Sequence, residues 1–498
     1  MNRSTECECE ARLWSLENLT MLTDLYQLTM MQGYLVNGCR HKEAVFDVFF
    51  RTLPFKGGYA LAAGLEQVVE YIENLTFSEE NLAYLSSLNL FKEDFLEELR
   101  NFSFTGDIDA VPEGTPVFPY EPLIRVKGRV FETQLLETAI LNLVNFETLI
   151  ATKASRVMAA ADGGPVMEFG LRRAQGPDAG ILGARAAFIG GCQSTSNVLA
   201  GERYGIPVSG TQAHSWIQCF PSELEAFRAF AHTFPDSCLL LVDTYNVLES
   251  GVPNAIKVGL ELEAEGHHFL GIRLDSGDLA YLSREARRML DEAGLRGAII
   301  VGSNDLDEET IFAIRAQGAK IDAWGVGTHL ITSKDSPSLG GVYKLAAEGE
   351  QGVFHPRLKV SENITKITNP GIKKIVRFYD QTGKSLADLI ALEDEVFAEG
   401  EPLTIFHPIQ TWKRKTLTNF RTRELLIPVF RGGKRVYELP TLKDIQTYAR
   451  KELDTFWDEV KRLTNPHRYI VDLSANLFEL KQQLLLTIHN DIKANNHK

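Results

Sequence analysis

The chain has 498 residues, 44% of them hydrophobic and 24% charged, with a formal net charge of −14 at pH 7. That composition supplies a large apolar core and excludes a disordered or fibrous chain, and the length suggests two or three domains. The negative balance argues against a nucleic acid or an anionic membrane as the main partner, while leaving room for a local basic pocket that takes phosphates.

Cys7, Cys9, Cys39, Cys192, Cys219 and Cys238 show no disulfide-rich spacing, so a reducing, intracellular compartment is expected. The acidic N-terminus has no apolar run behind it, and no later stretch approaches the ~20 apolar residues of a membrane span. A soluble, cytoplasmic protein follows. Cys7-Glu8-Cys9 lacks a second pair or a neighbouring histidine and is read as part of a tail over residues 1–16, not as a metal site.

In chain order, residues 22–34 predict a helix capped by Thr23 or Asp24, with Leu25, Leu28, Met31 and Leu35 on the core face. Tyr26 falls off that stripe, as a half-buried surface residue or an aromatic offered to another molecule. Residues 44–51 have strand composition, 61–73 and 78–102 are helical, and prolines break 107–131 into short strands. A long helix is expected over 134–161.

From Pro165 to about Ser333 a strand, a turn and a helix alternate, with strands expected at 166–169, 188–191, 206–209, 238–243, 268–274, 298–302 and 321–325. Right-handed parallel crossovers repeated in this way predict an α/β fold, an irregular α/β barrel over residues 136–340. The beat stops after Gly340. Residues 341–498 read as mixed β structure, a helix around 442–463 and a tail after Leu473; they are expected to pack with 17–135 as one α+β domain.

In a barrel the carboxyl ends of the strands share one face, which here collects Glu168, Arg172, Ser194 to Asn197, His214, Asp243, Arg273, Asp275 to Asp278, Ser303 to Asp305 and Gly325 to His329. His214 suits proton transfer or nucleophilic attack on phosphorus; taken alone it reads first as a structural histidine bonded to a loop carbonyl, and its polar neighbours reverse that reading. Arg273 and Asp275, two apart on a strand, point to the same face: the guanidinium suits an anion, the carboxylate sugar hydroxyls or a hydrated metal. Ser276 or Asp278 caps the following helix. Residues 324–329 resemble the phosphate cradle late in many α/β barrels, and Asp243 is a strand-end polar residue without an assigned role.

The motifs LTDLYQ at 22–27, FRTLPFKGGYA at 50–60, EFGLRR at 168–173, STSN at 194–197, SGTQAH at 209–214, IRLDSGD at 272–278 and GVGT at 325–328, in this order, resemble nicotinate phosphoribosyltransferase, a type II phosphoribosyltransferase. The resemblance runs from about residue 20 to at least Arg377 and is looser over the last hundred residues. It implies that nicotinate and phosphoribosyl pyrophosphate give nicotinate mononucleotide and pyrophosphate with coupled ATP hydrolysis, the first step of NAD salvage from nicotinate. It implies a transient phosphohistidine at His214, Mg²⁺, and a homodimer with shared active sites. By position, Phe169 and Tyr26 would sandwich the pyridine ring, Tyr26 arriving from the neighbouring subunit. Arg172 and Arg273 would take the nicotinate carboxylate and phosphates, and Asp275 the ribose hydroxyls. Gly302, Gly327 and Thr328 would hold the 5′-phosphate, with Thr211 among the substrate contacts, and Lys366 and Lys373 would reach phosphates across the dimer interface. No acid occurs in residues 191–195, where nicotinamide-using relatives place a carboxylate, which favours nicotinate. A nicotinamide or quinolinate transferase and a catalytically silent relative are the alternatives.

Overall fold

The computed structural model describes residues 18–363 and 366–495; Cys7, Cys9 and Thr365 lie outside them. Among the described residues no helix is long and apolar enough to cross a membrane.

A parallel sheet runs in the order Ser194–Thr195, Val166–Glu168, Ala323–Val326, Ile299–Ser303, Gly271–Leu274, Leu239–Leu241. Strand alternation sends Val166, Ile272, Leu274, Ile300, Trp324 and Val326 into one apolar core with the covering helices. Met167, Leu239, Val301 and Ala323 point the other way and line a common cavity of ≈ 610 Å³, so the sheet wraps around itself. Its outer strands, Ser194–Thr195 and Leu239–Leu241, do not pair with each other, and the barrel stays open. The helix Leu279–Glu292 shows how the cover is built: Asp278 accepts a hydrogen bond from the Tyr281 amide, and Leu279, Ser283, Ala286 and Leu290 are buried at helical spacing.

A seven-stranded sheet joins strands from the N-terminal and C-terminal parts of the chain. Its order is Val353–Pro356, Val342–Glu350, Glu43–Phe49, Ile124–Arg129, Asp107–Ala110, Ile427–Arg431, Lys434–Arg435. A four-stranded sheet built on Lys373–Tyr379 and Ser385–Leu392 follows. The helix Glu137–Ala161 joins the layers: Ala139, Ile140, Leu143 and Val144 belong to the N-terminal core, whereas Ile150, Ala154 and Val157 belong to the core of the parallel sheet.

Several local expectations are corrected. Residues 188–191 are not a strand: Phe188 and Ile189 end the helix Pro177–Ile189, whose middle is buried on all sides, and Gly191 at φ +113° turns the chain into Ser194–Thr195. Residues 206–209 form only a bridge from Val208 to Thr195, because Pro207 has no N–H to extend a ladder. Leu25 is 52% exposed; the buried face of the helix Leu25–Val36 is Gln27, Leu28 and Met31. The tail after Leu473 is a helix, Ala475–Asn495, and residues 442–463 are two helices, Leu442–Asp454 and Asp458–Lys461.

The layers are tied by a buried charge cluster. Arg185 donates to Glu113 at 2.7 Å and Glu147 at 2.9 Å and also to Glu66, so three carboxylates from three segments surround one guanidinium. Burial, offset by Arg185 but reinforced by Glu113 and Glu66, pushes the Glu147 carboxyl up from 4.5 to about 8. The folded chain therefore keeps a proton that the unfolded chain releases. Its stabilising effect is complete below pH 4.5 and is lost as pH rises toward 8, with a slope of at most about 1.4 kcal/mol per pH unit. Glu147→Gln, which imitates the protonated acid, is expected to flatten the fall in melting temperature between pH 5 and pH 8. An unchanged slope would remove Glu147 as its source.

Candidate active site

The carboxyl ends of the parallel strands open into a cleft of ≈ 580 Å³. Each wall is the loop that follows one strand: Phe169 to Arg173 after Val166–Glu168, Gly210 to His214 after the Val208 bridge, Asp275 after Gly271–Leu274, Asn304 and Asp305 after Ile299–Ser303, and Gly327 and Thr328 after Ala323–Val326. Of the residues expected there, Phe169, Arg172, Thr211, His214, Arg273, Asp275, Gly327 and Thr328 line this cleft.

His214 opens the short helix His214–Gln218. Its Nδ1 lies 3.1 Å from Thr244 Oγ1, and its Nε2 lies 3.9 Å from Asp275 Oδ2, with 42% of the side chain exposed. Arg273 and Asp275 share the cleft while Ile272 and Leu274 face the helices, as two-residue alternation requires. Arg273 donates from Nη1 to Thr211 Oγ1 at 2.8 Å and holds Nη2 4.0 Å from Asp275, whereas its Nε is buried without an acceptor. Burial, with Arg172 adding to it and Asp275 and Asp243 opposing it, places its pKa below the ordinary guanidinium range. A half-satisfied, desolvated guanidinium of this kind is a site for an anion.

Asp275 is held from behind, accepting a hydrogen bond from Ser303 Oγ. Asp243 Oδ2 accepts from Ser276 Oγ at 2.6 Å, and its Oδ1 is buried without a partner. Ser276 therefore holds Asp243, and Asp278 caps the helix. Phe169 packs against Gly325: a Cβ there would stand 2.7 Å from its ring, so only glycine leaves room. The turn that presents Phe169 is pinned by Glu168, buried, which accepts from Thr195 Oγ1 at 2.6 Å and from the Gly170 amide. Burial raises the Glu168 carboxyl, and those two hydrogen bonds work against the rise. Asn304 and Asp305 adopt φ of +100° and +35°, left-handed backbone held by the surrounding strand ends.

Four expected residues lie elsewhere. Gly302 faces the helix side: a Cβ would meet Ile321 at 2.9 Å, and its neighbour Ser303 reaches the cleft instead. Lys373 is buried, its Nζ 2.7 Å from Asp47 Oδ2, because Lys373, Ile375 and Arg377 form the inward face of Lys373–Tyr379; it is not free to reach a phosphate. Lys366 is exposed and outside the cleft lining. Tyr26, 47% exposed, also lies outside it. Conversely, Arg173 and Gln212 line the cleft without having been singled out. Both amide atoms of Gln212 are buried without partners. Each stands within two residues of a selected one, in the same strand-end loop, which was the available signal.

Family models match most of the chain: the nicotinate phosphoribosyltransferase N-terminal domain over residues 21–145, the family's main region over 165–347 and the C-terminal domain over 372–481. The nicotinate phosphoribosyltransferase of Bacillus subtilis is 48% identical over 96% of this chain and 97% of that protein. The human protein of the same name is 35% identical over 93% of this chain and 96% of its own length. A crystal structure of human nicotinic acid phosphoribosyltransferase superposes with a TM-score of 0.83 at 33% identity, covering 93% of this chain and 99% of the human one. The chain belongs to the nicotinate phosphoribosyltransferase family.

Proposed function

We propose that the enzyme transfers the phosphoribosyl group of phosphoribosyl pyrophosphate to the nitrogen of nicotinate, coupled to ATP hydrolysis through a phosphohistidine at His214, as the entry step of NAD salvage. The observation that carries this reading is a single cleft holding an aromatic platform, a buried arginine short of acceptors, and a histidine beside a carboxylate.

Phe169 offers one face to the pyridine ring, and Arg172 and Arg173, three and four residues further on, supply positive charge for the ring carboxylate. Glu168, the acid nearest in sequence, is buried and occupied by Thr195 and the Gly170 amide, so it does not oppose that carboxylate. Asp275 accepts from ribose hydroxyls, and Gly327 and Thr328 bring backbone close to the 5′-phosphate. As pyrophosphate leaves, C1 acquires oxocarbenium character, and Arg273 gains in contact with the growing negative charge on the leaving group. Mg²⁺ when bound neutralises the diphosphate and the nucleotide phosphates. Among the described residues no cluster of three or more His, Cys, Asp or Glu could hold a metal by itself. Asp275, which lines the cleft, matches the one or two carboxylates Mg²⁺ uses when substrate phosphates complete its shell.

Turnover with nicotinate, nicotinamide and quinolinate, each with phosphoribosyl pyrophosphate and with or without ATP, tests the reading. The expected result is the highest kcat/KM on nicotinate, stimulated by ATP; a higher value on nicotinamide would overturn it.

The enzyme works as a homodimer in this reading, with Tyr26 completing the ring site from the neighbouring subunit; its exposure away from its own cleft supports that placement. Tyr26→Ala is expected to raise KM for nicotinate about tenfold, the loss of a stacking contact of about 1–1.5 kcal/mol. An unaltered KM would return Tyr26 to the surface.

A further inference from the structure

The two ring nitrogens of His214 are not equivalent in this site. Nδ1 faces the hydroxyl of Thr244, 3.1 Å away, and Nε2 faces Asp275 at 3.9 Å, beyond hydrogen-bonding reach. Thr244 follows the strand Leu239–Leu241 by three residues, and Asp275 follows Gly271–Leu274 by one; these strands are neighbours in the sheet. The imidazole therefore lies between two adjacent strand ends, within hydrogen-bonding distance of one of them. Thr244 is half-buried and is not part of the cleft wall, so its contact with His214 is its link to the site.

A hydroxyl beside Nδ1 can accept a proton from the ring or donate one to it. Only the first leaves a lone pair on Nε2, the nitrogen on the side of Asp275 and the cleft. We infer that Thr244 is a positioning residue: its Oγ1 accepts the Nδ1–H of His214 and so directs phosphorylation to Nε2. The inference rests on the phosphohistidine reading above. In the step, the Nε2 lone pair attacks the γ-phosphorus of ATP. The N–P bond forms as the bond from that phosphorus to the β,γ-bridging oxygen breaks, ADP leaves with the electron pair, and the Nδ1 proton stays in its hydrogen bond to Thr244. The acceptor is a neutral hydroxyl and not the carboxylate that orients histidine in hydrolytic triads. It fixes ring orientation and tautomer without strengthening Nε2 as a base, which suits a phosphoramidate that must be hydrolysed again in each cycle.

Thr244→Val keeps the shape and removes the acceptor, leaving two ring orientations and both tautomers open to His214. Thr244→Ser restores the hydroxyl. Full-length protein with ¹⁵N-labelled histidine, the His214 signals being assigned from their loss in His214→Ala, is expected to show Nδ1–H with unprotonated Nε2 in the parent and the serine variant, and a mixture in the valine variant. After incubation with ATP and Mg²⁺, ³¹P spectra of alkaline digests should place the phosphoryl group on Nε2 in the parent and on both nitrogens in Thr244→Val. The valine variant's ATP-coupled kcat should fall roughly 10–100-fold, by analogy with the loss on removing the hydrogen-bond partner that orients a metal-ligating histidine, with KM for nicotinate unmoved. An Nε2–H tautomer or an Nδ1-linked phosphoryl group in the parent overturns the inference, as do spectra of Thr244→Val identical to the parent's. Absence of any phosphohistidine in the parent would instead overturn the ATP-coupled reading, and the ¹⁵N spectra would then decide the ring's orientation by themselves.

Discussion

His214→Ala is expected to abolish both the phosphoenzyme and the stimulation of transfer by ATP, leaving a weak, ATP-independent transfer and an intact fold. The side chain is 42% exposed and its polar partners are Thr244 and Asp275, so its removal opens no cavity in the core. Phe169, Arg273, Asp275 and the Gly327 turn remain to bind nicotinate and phosphoribosyl pyrophosphate, which is why transfer falls without vanishing. Incubation with γ-labelled ATP and Mg²⁺, followed by peptide mapping, provides the check: acid-labile, alkali-stable label on the peptide containing His214 in the parent, and none in the variant. ATP coupling that survives in His214→Ala would remove the phosphohistidine from the mechanism.

The second large effect belongs to Arg273. Arg273→Gln keeps a donor toward Thr211 but loses the charge that faces the leaving group. A fall in kcat/KM of roughly 10²–10³ is expected, equivalent to about 2.7–4 kcal/mol of transition-state stabilisation. Arg273→Lys should recover part of it, because a point charge meets the electrostatic need without the fork that binds Thr211 and an anion together. The loss is expected mainly in kcat, since the charge on pyrophosphate grows as the bond to C1 breaks. A loss confined to KM would show Arg273 to be a ground-state binding group. An unchanged kcat/KM would place the leaving group elsewhere in the cleft.

Legibility differed from place to place for physical reasons. Arg273 and Asp275 could be assigned to one face because strand alternation is local and the flanking Ile272 and Leu274 are apolar. A cap at Ser276 or Asp278 was readable because capping involves only the next three residues, and the structure assigns it to Asp278 while Ser276 holds Asp243. Phe188 and Ile189 were misread as a strand because the helix they end is buried on every side, and a short apolar run has no periodicity to separate the two states. Gly302 was misassigned because a glycine gives no sign of which face of the strand it occupies, and here the face is set by Ile321 beneath it.

Lys373 shows a different failure. A lysine-rich stretch reads as a solvated or anion-binding face, and nothing within it announces that Asp47, more than three hundred residues earlier, closes an ion pair with it. The same holds for Thr244, an ordinary residue beyond a strand until His214 is brought to 3.1 Å.

The sequence by itself determined the α/β class, the strand-end loops that hold the chemistry, and the residue types needed for an anionic, ring-bearing substrate and a reactive imidazole. These are written in short-range patterns: alternation, caps and motifs a few residues long. The tertiary structure decided what depends on distance between remote segments: that the barrel stays open, that Lys373 and Arg185 are spent on buried pairing, and that Gln212 and Arg273 keep unpartnered atoms at the cleft. It also decided which nitrogen of His214 faces Asp275, because a ring's two sides become distinct only when separate strands supply their neighbours.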